Sequence, residues 1–266
     1  MKKLTLTVKG DRMDCIRFGA GDHPLVLLPG LSFQGVKSAA FPLAYQYRLF
    51  AKDYTVYVLD KRNSIPEGYT VRDLSEDAAA AMEQLRLRDA DIVGVSLGGM
   101  ISQYLAVDHP HLVHKIALCV TASQPNKTIN SVVGRWIQLA KQNERRALAA
   151  DVVEKLYSPA YQKKYRPLLP LLSRVGIPKD LRRFMALANS CLTCNVYPEL
   201  SKINCPAFVV GGGQDAVVTK QASEELARQL CCQIYLYPNL GHASYEEAPD
   251  FNQRIYQFLQ PYKRSG

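Results

Sequence analysis

The stretch Gly94-Val95-Ser96-Leu97-Gly98-Gly99 lies directly after the apolar run Asp91–Val95 and opens a segment of helical spacing, Gly98–Val107. A G-x-S-x-G pattern between a strand and a helix has the context of a nucleophile elbow, a sharp turn that exposes a serine at the end of a strand. Such a turn holds the serine in strained backbone. It needs small residues two before and two after the serine, because any side chain there collides across the turn. Gly94 and Gly98 supply them. The stretch therefore reads as a strand, a turn carrying a nucleophilic Ser96, and a helix.

Outward from that unit, short apolar runs recur at Leu25–Leu28, Thr55–Leu59, Lys115–Val120, Ala207–Val210 and Gln233–Tyr237. Several are nearly continuous in Val, Ile and Leu, as parallel strands buried on both faces are. Val71–Leu87, Gly98–Val107 and Lys220–Leu230 have helical spacing between them. This alternation predicts an α/β fold, a mostly parallel sheet with helices on both faces. Thr70 followed by Asp73 marks a helix start, with a hydroxyl to cap free amides and a carboxylate to suit the dipole. Leu4–Val8 and Met13–Phe18 have no helix between them, which predicts an antiparallel hairpin at a sheet edge, turning at Gly10-Asp11.

The alternation stops at about Ser123. From there to about Pro198 the chain reads as helices broken by Pro159, Pro167, Pro170, Gly176 and Pro178, and the strand-helix rhythm resumes at Cys205-Pro206. The expected organisation is one sheet domain formed by residues 1–122 and 199–266, with residues 123–198 inserted as a helical cap.

A serine hydroxyl is a poor nucleophile at neutral pH and needs an imidazole within hydrogen-bond reach and a carboxylate to fix that imidazole's tautomer. His109, His111 and His114 lie beyond the helix after the elbow, and His23 precedes Leu25–Leu28; all four read as solvated loop or helix-end residues. His242 follows a strand in the loop Pro238–Gly241 and is the expected general base. Asp215 follows Ala207–Val210 and the glycine run 211–213, at the strand edge where ligands bind in open parallel sheets. It is the expected acid, in the chain order Ser, Asp, His; capping of the helix after Thr219 is its bland alternative. The oxyanion needs backbone donors. Leu97 at the helix start and Leu31 in the loop Leu28-Pro29-Gly30-Leu31-Ser32-Phe33 are the candidates, with Ser32 either adding a hydroxyl or capping the next helix.

These residues resemble the α/β-hydrolase superfamily over nearly the whole chain outside the insert. GVSLGGM at 94–100 followed by SQYLAVDHP is similar to the elbow of small esterases and lactonases, including the 3-oxoadipate enol-lactonase group. The ending at 241–259 is similar to the family's tail, with Gly241, His242, Glu247, Pro249 and Phe251 in place, and NCPAFVVGGGQDAVV at 204–218 looks like its strand and acid turn. Two departures bear on the substrate-facing side chains. Pro29-Gly30 stands where His-Gly is usual, and Asp60-Lys61-Arg62-Asn63-Ser64-Ile65 replaces Asp-x-Arg-Gly-x-Gly, with Asn63 where a left-handed glycine is common and tolerated as Asn. The resemblance implies a serine hydrolase of a small or medium carboxylic ester, lactone or thioester, with no cofactor and no metal. Its alternatives are a carbon-carbon bond hydrolase or lyase of the same fold, or a ligand-binding receptor. Serine at the elbow sets aside the dehalogenases and epoxide hydrolases of this fold, which carry aspartate there.

The chain has 266 residues, 47% of them hydrophobic and 21% charged, with 16 Gly and 15 Pro, which excludes collagen, coiled coil, small disulfide scaffold and a disordered chain. Seven cysteines without the paired spacing of a zinc site read as reduced thiols in a cytoplasmic protein. The opening MKKLTLTVKG lacks the apolar run of a signal peptide, and no stretch is long and apolar enough for stable membrane insertion. Of the net charge of +9, nearly all falls in 123–200, which holds 13 basic and 5 acidic residues. Arg145-Arg146, Lys163-Lys164-Arg166 and Arg182-Arg183 carry much of it. No recognition motif makes this a nucleic-acid signature. It reads either as a solvated face or as a surface that steers an anionic small-molecule acyl substrate or touches acidic lipid; the sequence leaves oligomeric state open.

Overall fold

The computed structural model describes residues 1–165 and 177–260. Pro167, Pro170, Gly176 and Arg166, read above as helix breakers and as part of a basic cluster, lie outside the described residues. Eight strands form one mixed sheet: β1 (Lys2–Val8), β2 (Asp11–Gly19), β3 (His23–Leu28), β4 (Tyr54–Arg62), β5 (Ala90–Val95), β6 (Val113–Cys119), β7 (Ala207–Gly212) and β8 (Gln233–Tyr237), in the order β1-β2-β4-β3-β5-β6-β7-β8. β1, β2 and β4 pair antiparallel, and β4 through β8 run parallel. The hairpin is at the edge as expected, but its turn is Lys9-Gly10, not Gly10-Asp11. Both residues take positive φ, 47° and 77°, and Val8 pairs with Asp11. Two left-handed residues match the twist of a two-residue hairpin, which a turn at Gly10-Asp11 lacks.

The central strands are apolar on both faces because alternate residues feed two cores. Val26, Leu28, Ile92, Ile116, Leu118 and Val209 point to the core under helices α2 (Val71–Gln84), α3 (Leu97–Asp108) and α8 (Lys220–Gln229). Leu25, Leu27, Val93, Ala117 and Val210 point to the core under α1 (Ala40–Gln46) and α9 (Phe251–Leu259). Thr70 and Asp73 close a capping box on α2. That helix stops at Gln84, short of the expected Leu87, because Arg86 turns left-handed and the Leu87 amide bonds back to Met82 O, a helix-ending loop.

Between β6 and β7 the described chain forms α4 (Lys127–Lys141), α5 (Arg145–Leu156), α6 (Pro159–Tyr165) and α7 (Arg182–Thr193), with no strand among the described residues. α7 reaches the loop after β3, where Phe184 stacks on Phe33 at 4.6 Å between ring centroids. The chain leaves β3 toward β4 on one side while β5 lies on the other. Loops from the C-terminal ends of β3 and β5 therefore diverge and leave a crevice, the topological switch point at which such sheets bind ligands.

Candidate active site

Ser96 joins β5 to α3 with φ 52° and ψ −117°. Its amide donates to Cys119 O (2.8 Å), and the Thr121 hydroxyl donates to its carbonyl (2.8 Å), so the strained residue is pinned from the β6 side. The two glycines serve packing beyond the turn itself. A Cβ on Gly98 would sit 1.8 Å from Leu28 O on β3, and one on Gly94 would sit 2.2 Å from Ser102 Oγ and 2.6 Å from Gly98 O.

The structure brings the three expected side chains together. His242 Nε2 lies 3.0 Å from Ser96 Oγ, and His242 Nδ1 lies 2.9 Å from Asp215 Oδ2. A carboxylate can only accept, so Nδ1 carries the proton toward Asp215 and Nε2 is left to accept from the serine. The other oxygen, Asp215 Oδ1, accepts from the amides of Val217 (2.8 Å) and Val218 (2.9 Å). Burial pushes the Asp215 carboxyl up, but the His242 ring and these two amides outweigh it and hold the group below the usual carboxylate range. Helix α8 is capped by Thr219, whose hydroxyl accepts from Ala222, so Asp215 is not spent as a cap.

The His242 loop is held on two sides. Gly212 lies against Gly241, with room for no side chain between the two backbones, and the Gln214 amide donates to Leu240 O (3.0 Å). On the other side the Ala243 amide donates to Leu156 O at the end of α5 (2.8 Å). Glu247 accepts from the Ser158 amide (2.9 Å) and hydroxyl, and Glu246 from the Tyr157 hydroxyl (2.6 Å).

His111 is exposed, as its context suggests, whereas His109, His114 and His23 are drawn toward the protein. His109 Nε2 meets Glu76 at 2.8 Å, and His114 Nδ1 meets Asp91 at 2.8 Å. His23 begins β3 with its Nε2 buried.

Leu97 is the first residue of α3, where an amide has no intrahelical acceptor, and Leu31 lines the cavity beside Ser96. The Ser32 hydroxyl instead donates to Gln34 O (2.9 Å), so it neither caps a helix nor offers a further donor. One residue that the sequence did not single out orders this loop. Lys61, on β4 and 5% exposed, donates from Nζ to the carbonyls of Pro29 and Gly30 (3.0 Å to the latter). Burial lowers its pKa to about 8, with Asp60 opposing and Arg183 adding to the fall. A lysine at the variable position of the altered Asp60–Ile65 motif was the available signal. Asn63 does not take the left-handed backbone expected there.

Arg183 is likewise not on a solvated face. From α7 it donates to Asp60 Oδ1 (2.9 Å) and to the carbonyls of Lys61 and Arg62, while Asp60 Oδ2 accepts the Val36 amide (2.8 Å). Elsewhere in the segment Arg135 pairs with Asp151, Arg182 with Asp180 and Lys155 with Glu154.

Above Ser96 is a cavity of about 60 Å³ whose walls include Leu31, Met100, Trp136, Phe184 and Val217, with no Lys, Arg, Asp or Glu side chain among its described lining. It is well below the roughly 300 Å³ of an ordinary small-ligand pocket. A wider recess of about 1300 Å³, bordered by Lys115, Cys205 and Cys231, opens at the N-terminal ends of β7 and β8 and shares no residue with this cavity.

Residues 25–251 match the alpha/beta hydrolase family, and the chain belongs to that family of enzymes. It is 22% identical over 262 residues to 3-oxoadipate enol-lactonase 2 of Acinetobacter baylyi, covering 95% of each chain. It is 29% identical over 167 residues to a pimeloyl-[acyl-carrier protein] methyl ester esterase of Neisseria meningitidis serogroup B, covering 58% of this chain and 63% of the other. Among solved structures, the enol-lactonase of Burkholderia xenovorans superposes with a TM-score of 0.84 at 23% identity, over 96% of this chain and 99% of the other. Among the described residues no helix is long and apolar enough to cross a membrane, and all seven cysteines are free thiols.

Two outcomes follow from the packing. Gly98→Ala drives a methyl into Leu28 O and should lower stability by about 2–3 kcal/mol or more in urea denaturation. Lys61 has a folded pKa below its unfolded one, so between about pH 8 and pH 10.5 the unfolded chain binds more protons and this group's contribution to stability rises with pH. Lys61→Met should lack that rise, so the parent's stability minus the variant's should increase by about 3 kcal/mol at most across this range.

Proposed function

We propose that this chain is a serine hydrolase that cleaves a carboxylic ester or lactone with a short, uncharged acyl part. The observation that carries the reading is the unbroken hydrogen-bond chain from Ser96 through His242 to Asp215, opening on an apolar cavity. In this reading Ser96 Oγ attacks the carbonyl carbon while His242 Nε2 takes its proton, and Asp215 stabilises the imidazolium. The tetrahedral oxyanion rests on the amides of Leu97 and Leu31. His242 returns the proton to the leaving alkoxide, and water then repeats the cycle on the acyl-enzyme.

Lys61 is proposed as a positioning residue: by holding the Pro29 and Gly30 carbonyls it aims the following amide, that of Leu31, at the reacting oxygen. Residues 123–198 are proposed as a cap, since α4 and α7 supply Trp136 and Phe184 to the cavity. The basic excess is not directed at substrate in this reading, because Arg135, Arg182 and Arg183 are engaged elsewhere and the cavity lining is uncharged.

A fluorophosphonate probe should label the protein once, at Ser96, and Ser96→Ala should abolish labelling; retention of label in that variant would refute the assignment. Asp215→Asn keeps an acceptor for Val217 and Val218 but permits the wrong imidazole tautomer, and kcat should fall by about 10³ to 10⁴ with the fold intact by circular dichroism. Among aryl esters, acetate and propionate should exceed octanoate in kcat/KM, with neutral esters turned over at salt-independent rates. Lys61→Met should lower kcat about tenfold or more at little change in KM.

A further inference from the structure

The sheet edge opposite Ser96 carries a second cluster of titratable side chains. His23 opens β3, Asp91 lies at the start of β5 and His114 near the start of β6, three strands adjacent in the sheet. One donor atom from each residue lies within 4.8 Å of the others. Asp91 is fully buried, yet among the described residues no lysine or arginine pairs with it. Its partners are the His114 ring (Nδ1 to Oδ1, 2.8 Å), the Tyr54 hydroxyl (3.2 Å to Oδ2) and the His23 ring. His23 Nε2 points at Oδ2 from 3.5 Å and, though shielded from solvent, makes no hydrogen bond. A buried imidazole nitrogen without a partner, facing a buried carboxylate without a cation, is a deficit that a cation fills.

We propose that His23, Asp91 and His114 form a binding site for a divalent transition-metal ion of the zinc class. Two imidazoles and one carboxylate are ligand types that such ions take, at bond lengths of about 2.0–2.2 Å. Tetrahedral neighbours at those lengths stand about 3.4 Å apart, so side-chain shifts of about an ångström bring the donors in. His114 is half-exposed and leaves the fourth position to water, and its Nδ1 proton is released to solvent as the metal replaces it. Tyr54 holds the carboxylate in orientation from behind, as outer-sphere partners do. Asp91 and Ser96 stand at opposite ends of β5, about 16 Å apart along the strand. The ion therefore braces β3, β5 and β6 and does not touch substrate.

The test uses the full chain, freed of metal with a chelator and carrying Cys205, Cys231 and Cys232 replaced by serine, because those incompletely buried thiols would bind zinc by themselves. Zn²⁺ should bind at one equivalent and raise Tm. Co²⁺ should give ligand-field absorption without thiolate charge-transfer bands. His114→Ala and His23→Ala should each lower Zn²⁺ affinity at least tenfold and remove the Tm rise, while circular dichroism stays unchanged. His242→Gln, which alters the other buried histidine-aspartate pair, should leave the affinity as it was. Absence of Zn²⁺ binding in the thiol-free parent, affinity unchanged from that parent in either alanine variant, or loss of binding in His242→Gln would each overturn the proposal.

Discussion

A left-handed serine at the end of β5 is tolerable only because the backbone on every side of it is closed in. Holding Ser96 at φ 52° forces α3 to leave the strand sharply, and α3 then lies so near β3 that Gly98 has no space for a methyl group. That closeness has a functional side. Leu28 pairs with Gly94, so the loop after β3 must pass over the serine, and a Cβ added at Gly30 would stand only 3.2 Å from that of Ser96. One strained dihedral thus fixes the helix start, the strand spacing and the place of the neighbouring loop together.

The loop after β3 is then held by charge where apolar packing does not reach. Lys61 and Arg183 both donate to backbone carbonyls at the C-terminal end of the sheet, and Asp60 lies between them, accepting from Arg183 and from two amides. Buried charges are expensive unless their hydrogen-bonding capacity is used, and here carbonyls and a carboxylate use it. Where a histidine is usual ahead of Gly30, Pro29 stands instead, and the loop takes its hydrogen bonds from Lys61 on a different strand.

How much of this was legible depends on whether the signal is local. The elbow, Asp215 after β7 and His242 after β8 are legible because each has glycines at fixed offsets and follows an apolar strand, and the three fall in a recognisable order. Strand positions came through because two-sided burial leaves nearly unbroken apolar runs. Lys61 did not, since a lysine in a strand looks like an edge residue, and its partners are carbonyls some thirty positions upstream. Arg183 sits in a basic run whose members mostly face solvent, and nothing in the run distinguishes the one that turns inward. His23 and His114 acquire meaning only through Asp91, a contact that depends on strand order. The hairpin turn differs by one residue from the sequence reading because either neighbour of Gly10 can join it, and the twist of the paired strands decides.

The loop that carries His242 is bonded to the helical segment at Leu156, Tyr157 and Ser158 as well as to the sheet. The imidazole and the roof of the cavity are therefore one mechanical piece. Evolution cannot replace the roof as a free module: a foreign insert spliced between β6 and β7 must bring its own junction to meet residues 243–247, or the histidine loses half its footing. Under the proposed mechanism, substrate range and proton transfer are consequently inherited together, and drift in one is constrained by the other.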